Sequence, residues 1–202
     1  MNIIRNYLYT LLYQLINIIL PFITIPYISR VLGADNLGIN AYTTSIITYF
    51  ILIANFGISV YGNRAISYAR DSQYECSKTF WEILIVKIIM GSISLSLFFI
   101  FVYFYGEFSE FLYIQSIHII AMAIDISWFF IGVEDFKKSV FRNIIVKLIS
   151  FLLILAFIDE ANDLWLYMLI LSGSAFIGNI SLWSYLRKII QPITQIELDY
   201  IK

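Results

Sequence analysis

Residues Trp81–Tyr105 read WEILIVKIIMGSISLSLFFIFVYFY, a run of 25 with only two charges, Glu82 and Lys87, both in its first third. As a helix it would extend roughly 37 Å at 1.5 Å per residue, more than the roughly 30 Å of bilayer hydrocarbon. The run is too long for a strand, and a helix apolar on every side has no face to offer to water. It predicts a transmembrane helix, ended by Tyr103 and Tyr105 at headgroup depth.

Outward from this run, the same character recurs at Tyr7–Ile28 and Ile39–Tyr61 before it, and at Phe111–Val133, Phe141–Ile158 and Leu164–Leu186 after it. The predicted fold class is all-α, a polytopic membrane bundle of about six helices. Long unbroken apolar runs argue against a β-barrel, whose strands alternate over short stretches. Composition agrees: 60% of residues are hydrophobic and 13% charged, with a mean hydropathy of +0.83. A soluble domain of this length does not stay dissolved at such values. Asn2–Leu20, with Arg5 ahead of an apolar stretch, has the outline of a signal peptide. No small-residue cleavage pattern follows it, so it reads as a retained first span.

The 13 Lys+Arg against 14 Asp+Glu leave no basic field, and no nucleic-acid partner is expected. A single cysteine, Cys76, excludes an internal disulfide and a cysteine metal cluster, and neither metal nor cofactor is predicted. The placement of the charges is more informative. The expected connectors are Ser29–Gly38, Gly62–Phe80, Gly106–Glu110, Glu134–Val140 and Asp159–Asp163. Arg5, Arg64, Arg70, Lys78, Lys137, Lys138, Arg142, Arg187 and Lys188 fall on one side. Asp35, Glu107, Glu110, Asp159, Glu160 and Asp163 fall on the other, with Arg30 as its cation. The positive-inside rule then puts both termini in the cytoplasm, with six spans over 1–188 and a cytoplasmic tail over 189–202.

Polar residues recur inside the spans. Gln14, Asn17, Pro21 and Thr24 share one side of the first, and Asn40, Thr44, Thr48 and Asn55 one side of the second. Lys87, Gly91 and Ser94 mark the third, Gln115, His118, Asp125 and Gly132 the fourth, and Asn143, Lys147 and Ser150 the fifth. Such stripes either let helices approach and hydrogen-bond, which accounts better for any one stripe, or line a hydrated cavity, a reading that gains from the ionisable members Lys87, His118, Asp125 and Lys147, although Lys147 is near enough to the cytoplasmic end to snorkel. Asp125 is expected to pair with Lys87 or Lys147. Pro21 and Pro26 each remove an amide donor, so the first helix should bend or loosen between about residues 17 and 26. The result is either a static kink or, with Gly33, a hinge. Arg30 either reaches lipid headgroups or faces a lumen and holds a phosphate.

The segment Pro21–Gly33 (PFITIPYISRVLG), after Asn6–Tyr7 and Tyr13–Gln14, resembles the first span of Wzx-type polysaccharide flippases. Gly38, Tyr42, Ser45 and Tyr49–Phe50 follow in register. So do Phe56–Gly57, Tyr61–Arg64, Phe80–Glu82, Lys87, Asp125–Phe136 (DISWFFIGVEDF), Arg142–Asn143 and Lys147. These flippases belong to the multidrug/oligosaccharidyl-lipid/polysaccharide exporter superfamily. The resemblance implies transport of an undecaprenyl-diphosphate-linked oligosaccharide across a bacterial cytoplasmic membrane, without enzymatic activity. For such a substrate, position and residue type make Arg30 and Lys87 diphosphate candidates, and Gln14, Asn17, Asn40 and Asn55 sugar-facing candidates. Asp125, His118 and Lys147 become ion-coupling or counter-charge candidates. Members of the superfamily have twelve or fourteen spans in two lobes, so this chain is expected to be an amino-terminal lobe over 1–188, with 189–202 the truncated start of an inter-lobe linker. It then acts with a second lobe, as a homodimer, or as a remnant or assembly subunit without transport. A glycan-pathway enzyme is the competing class, but the chain has one His, no Asp–x–x–Asp and no P-loop.

Overall fold

A computed structural model describes residues 3–186 and 190. Every regular element among them is helical: α1 (Ile3–Val31), α2 (Gly33–Asn55), α3 (Ile58–Ala69), α4 (Gln73–Tyr105), α5 (Ser109–Gln115), α6 (Ile117–Ala123), α7 (Ser127–Gly132), α8 (Phe136–Phe157) and α9 (Leu164–Leu186), the last preceded by a 3-10 turn at Ala161–Asp163. They form six apolar segments long enough to cross a bilayer; α2–α3 make the second and α5–α7 the fourth. The chain is a multi-pass membrane protein.

Two expected connectors are in fact helical. Ser29–Gly38 shrinks to a corner at Leu32–Gly33, where Gly33 at φ 80° turns the chain between helices without a loop. Gly62–Phe80 shrinks to Arg70–Ser72, because α4 starts at Gln73 and not at Trp81. The Ser72 hydroxyl accepts from the Glu75 amide at 3.4 Å, a Ser-x-x-Glu helix start that fixes this boundary. The expected loosening of the first helix does not break it: α1 runs unbroken through Pro21 and Pro26. The interruptions fall elsewhere. Phe56 (φ 35°) and Gly57 (φ 75°) part α2 from α3, and residues 124–126 part α6 from α7. The tail expected over 189–202, with Arg187 and Lys188, lies outside the described residues except for Ile190.

Side chains sort the connectors between two ends of the bundle. At one end Arg70, after α3, meets Glu134, after α7, at 2.5 Å. The exposed Glu134 carboxylate accepts from the guanidinium and raises the Arg70 pKa above its usual value. Ile190, past α9, packs near this end against the cluster holding Phe80 and Trp81. At the opposite end the Tyr27 hydroxyl donates to the Ile158 carbonyl at 2.8 Å, and the Asn36 amide to the Ala161 carbonyl at 2.7 Å. There too Tyr42 and Tyr105 share a hydrogen bond of 2.5 Å.

The core lies where the interrupted helices cross α4 and α9. Ile66, Phe80, Leu84, Trp128, Phe129 and Leu182 are buried together, with Phe80 stacked on Trp128 at 5.6 Å between centroids. Lipid is as apolar as these side chains, so close packing rather than dehydration joins the helices. Small residues permit it. A Cβ on Gly62 would sit 2.6 Å from the Trp128 ring, and one on Gly91 2.4 Å from the Ala123 Cβ.

Candidate functional site

Two polar assemblies lie within the membrane-spanning part. The first surrounds Lys87, which α4 carries into the core with no exposed surface. Its ammonium donates to the Asp125 carbonyl at 2.8 Å and to the Ser59 hydroxyl at 3.3 Å, and lies 3.9 Å from the Asp125 carboxylate. Ser59 in turn donates to Asn55 at 2.6 Å. The carboxylate accepts from the Ser127 amide at 3.0 Å and the Ser127 hydroxyl at 2.8 Å. Asp125 thus ends up with Lys87 of its two expected partners. The same contacts enclose Lys87 away from any opening, so the geometry does not present it to a diphosphate.

This junction exists because α6 stops at Ala123 and α7 restarts at Ser127, which deprives the intervening carbonyls of regular helix partners. Other helices replace them. Asn179 donates to the Ala121 carbonyl at 2.6 Å, Trp183 to Ile124 at 2.9 Å, and Trp128 joins Lys87 on Asp125 at 3.1 Å. Irregular backbone at membrane depth is tolerated where protein satisfies it.

The second assembly is a cleft of about 490 Å³ between α1, α8 and α9, within the size range of small-molecule sites. Leu20, Pro21, Thr24 and Ile25 form its α1 wall, and Tyr167, Leu171, Ser174 and Asn179 stand opposite on α9. From α8 come Arg142, Asn143, Lys147, Ser150, Phe151 and Ile154. Two formal cations line it, and no carboxylate is among its lining residues. Arg142 donates to the Asn179 side-chain oxygen at 2.9 Å, and Lys147 donates to the Asn17 side-chain oxygen.

The other expected site residues are dispersed. Asn40 and Thr44 accept from Gln115, both at 3.3 Å, at a third polar contact where the Gln115 Oε1 is buried without a hydrogen bond. Gln14 and Arg30 are exposed on α1, and His118 is half-buried on α6. Asn55 belongs to the Lys87 junction and Asn17 to the cleft, so the candidates do not converge on one chamber. Arg142, Tyr167, Ser174 and Asn179 line the cleft but were not among the expected contacts. Asn179 and Ser174 carried a readable signal, a five-residue polar spacing inside the last apolar run. In sequence Arg142 reads as a cytoplasmic-side charge and as part of the Arg142–Asn143 match, not as a site residue.

Six spans, a charge-containing core and a cleft lined by two cations define a membrane-embedded helical bundle. The chain belongs to the polysaccharide biosynthesis protein family, which matches residues 3–201. It is 31% identical over 162 residues to the "Putative O-antigen transporter" of Shigella dysenteriae, covering 79% of this chain and 41% of that protein. A protein of the same name from Escherichia coli (strain K12) is 25% identical over 179 residues, 87% of this chain and 43% of that one. The chain therefore spans about two fifths of the length of these relatives. No solved structure matches it.

Proposed function

We propose that the chain is the amino-terminal lobe of a flippase. It moves an undecaprenyl-diphosphate-linked oligosaccharide from the inner to the outer leaflet of the bacterial cytoplasmic membrane, for O-antigen or capsule export, together with a second lobe or a second copy. The observation that carries the proposal is the α1–α8–α9 cleft, a largely apolar space with Arg142 and Lys147 among its lining residues, in a membrane bundle whose relatives bear the name of O-antigen transporters. A lipid-linked sugar diphosphate needs both features: an apolar surround for the isoprenoid, and amides, hydroxyls and cations for the head. The Arg70–Glu134 end, with Arg64, Lys78 and Lys137 near it in sequence, is the cytoplasmic face by the positive-inside rule.

The test is complementation of a strain that lacks its O-unit exporter. The chain is expressed alone and together with a carboxy-terminal lobe from a relative, and surface polymer is read by immunoblot. Restored polymer in either arrangement is expected. Its absence in both, with the chain inserted in the membrane, overturns the reading.

A further inference from the structure

We propose that α3 and α7 form one arm that swings on the two interior helix breaks, and that Lys87 is the pin that holds the arm in place. The inference goes beyond the transport reading above and does not depend on it.

The second and fourth spans are each interrupted within the bundle, at Phe56–Gly57 and at residues 124–126. Both interruptions meet the same side chain. The Lys87 ammonium donates at 2.8 Å to the Asp125 carbonyl, inside the second break, and at 3.3 Å to Ser59, two residues past the first. Ser59 donates back across the first break to Asn55, the last residue of α2, at 2.6 Å. The breaks therefore lie at one level of the bundle, joined through α4, which runs past them unbroken.

On the far side of the breaks, α3 and α7 are fastened to each other along their length. A Cβ on Gly62 would overlap the Trp128 ring, and one on Gly132 would sit 2.7 Å from the Ile66 side chain and 2.9 Å from the Asn63 carbonyl. The Arg70–Glu134 pair closes the end. Two helices so joined move as one piece. On the near side, α6 is held by a different neighbour, because Asn179 and Trp183 of α9 donate to the Ala121 and Ile124 carbonyls. Polar ties thus divide these spans into a fixed part and an arm, with Lys87 at the division.

The backbone permits the motion, since regular helix bonding has already stopped at both breaks. Phe56 (φ 35°) is exposed and Gly57 (φ 75°) has nothing within 4 Å of an added Cβ, so neighbours wedge neither residue. The arm packs on α4 through the Phe80–Trp128 stack, but lipid is as apolar as these rings and their parting exposes nothing to water. Lys87 is the stronger restraint, because an ammonium drawn off its acceptors is stranded in an apolar medium. The 12 residues of α3 extend about 18 Å, so a change of about 20°, the size of a sharp helix kink, carries its end about 6 Å. Residues 133–135 alone separate α7 from α8, so the swing reaches a wall of the cleft.

Paired spin labels on the full chain in lipid nanodiscs, in a Cys76→Ser background, test the inference. Labels at the exposed Ser45 and Ser67 span the first break; labels at the exposed Ser96 and Ile177, on the unbroken helices α4 and α9, are the control. Lys87→Met should shift or broaden the Ser45–Ser67 distance by about 6 Å and leave the control pair as in the wild type. Ser59→Ala, which cuts one tie and removes no charge, should broaden it by less. Asp125→Asn keeps the main-chain acceptor and should leave the distance unchanged even where it weakens the fold, which separates release of the arm from general loosening. A wild-type Ser45–Ser67 distance in Lys87→Met, equal broadening of both label pairs, or as much broadening in Asp125→Asn as in Lys87→Met overturns the inference. If Lys87→Met does not fold, Ser59→Ala decides, and a wild-type distance there overturns it equally.

Discussion

Lys87 and Asp125 show how unequal the two halves of a buried pair can be. The lysine has no exposed surface, whereas the Asp125 side chain keeps 15% of its own. The carboxylate also holds two hydrogen bonds from Ser127. Removing the lysine therefore leaves a carboxylate that is still partly solvated and bonded, whereas removing the acid leaves an ammonium sealed among neutral oxygens. Asp125→Asn should thus cost more than Lys87→Met, by an amount approaching the roughly 3–5 kcal/mol of a broken buried pair. The double variant should lose less than the sum of the singles. Thermal unfolding in detergent checks the order; a larger loss in Lys87→Met contradicts it. The pairing itself was legible in sequence, since isolated opposite charges inside apolar runs seek each other. What was not legible is that Lys87 makes its shortest bond to a main-chain oxygen, because that oxygen is released only by a helix interruption with no Pro or Gly near it.

The helices were easier to foresee than the places where they stop. Apolar length announces a span, so all six were readable. Interior breaks at 56–57 and 124–126 were not, because Gly57, Asp125 and Ser127 sit inside apolar runs long enough to read as continuous spans. The two prolines of α1 do not interrupt its helix. Proline removes one hydrogen bond and crowds one carbonyl, which a membrane helix tolerates when its surroundings absorb the loss. The α3–α7 crossing makes a sharper prediction. Gly62 lies so close to Trp128 that a Cβ would overlap the ring. Gly62→Val should destabilise the protein by about 1–3 kcal/mol, as overpacking does. Gly38→Ala, with nothing within 4 Å of the added methyl, should not destabilise it. Melting temperatures of the two variants in one detergent decide the matter, and an unaffected Gly62→Val would show that the crossing is looser than described.

Over the whole molecule, the charge pattern and the contacts agree on which connectors lie together. Arg70 and Glu134 touch at one end, while Tyr27 and Asn36 reach the turn after α8 at the other. In a Cys76→Ser background, single cysteines at Asp71 and Lys137 should react with an impermeant maleimide from the same side of the membrane. Cysteines at Glu107 and Asp159 should react from the other side. Labelling of Asp71 and Lys137 from opposite sides would reverse the threading. The sequence carried this alternation because the Lys/Arg bias of short turns sets the orientation during insertion. It did not carry the cleft, which depends on which helices become neighbours.

The carbonyls bared between α6 and α7 are covered by Asn179 and Trp183, and both belong to α9. The fourth crossing therefore waits for the sixth. Until the ribosome has delivered α9, a stretch in mid-bilayer has oxygens with no donor, a state that invites water, a chaperone or the insertion machinery to remain. A nascent chain halted before residue 179 should stay cross-linkable to the translocation channel, and one extended past Trp183 should be released. Biogenesis of this lobe is in that sense timed from its far end.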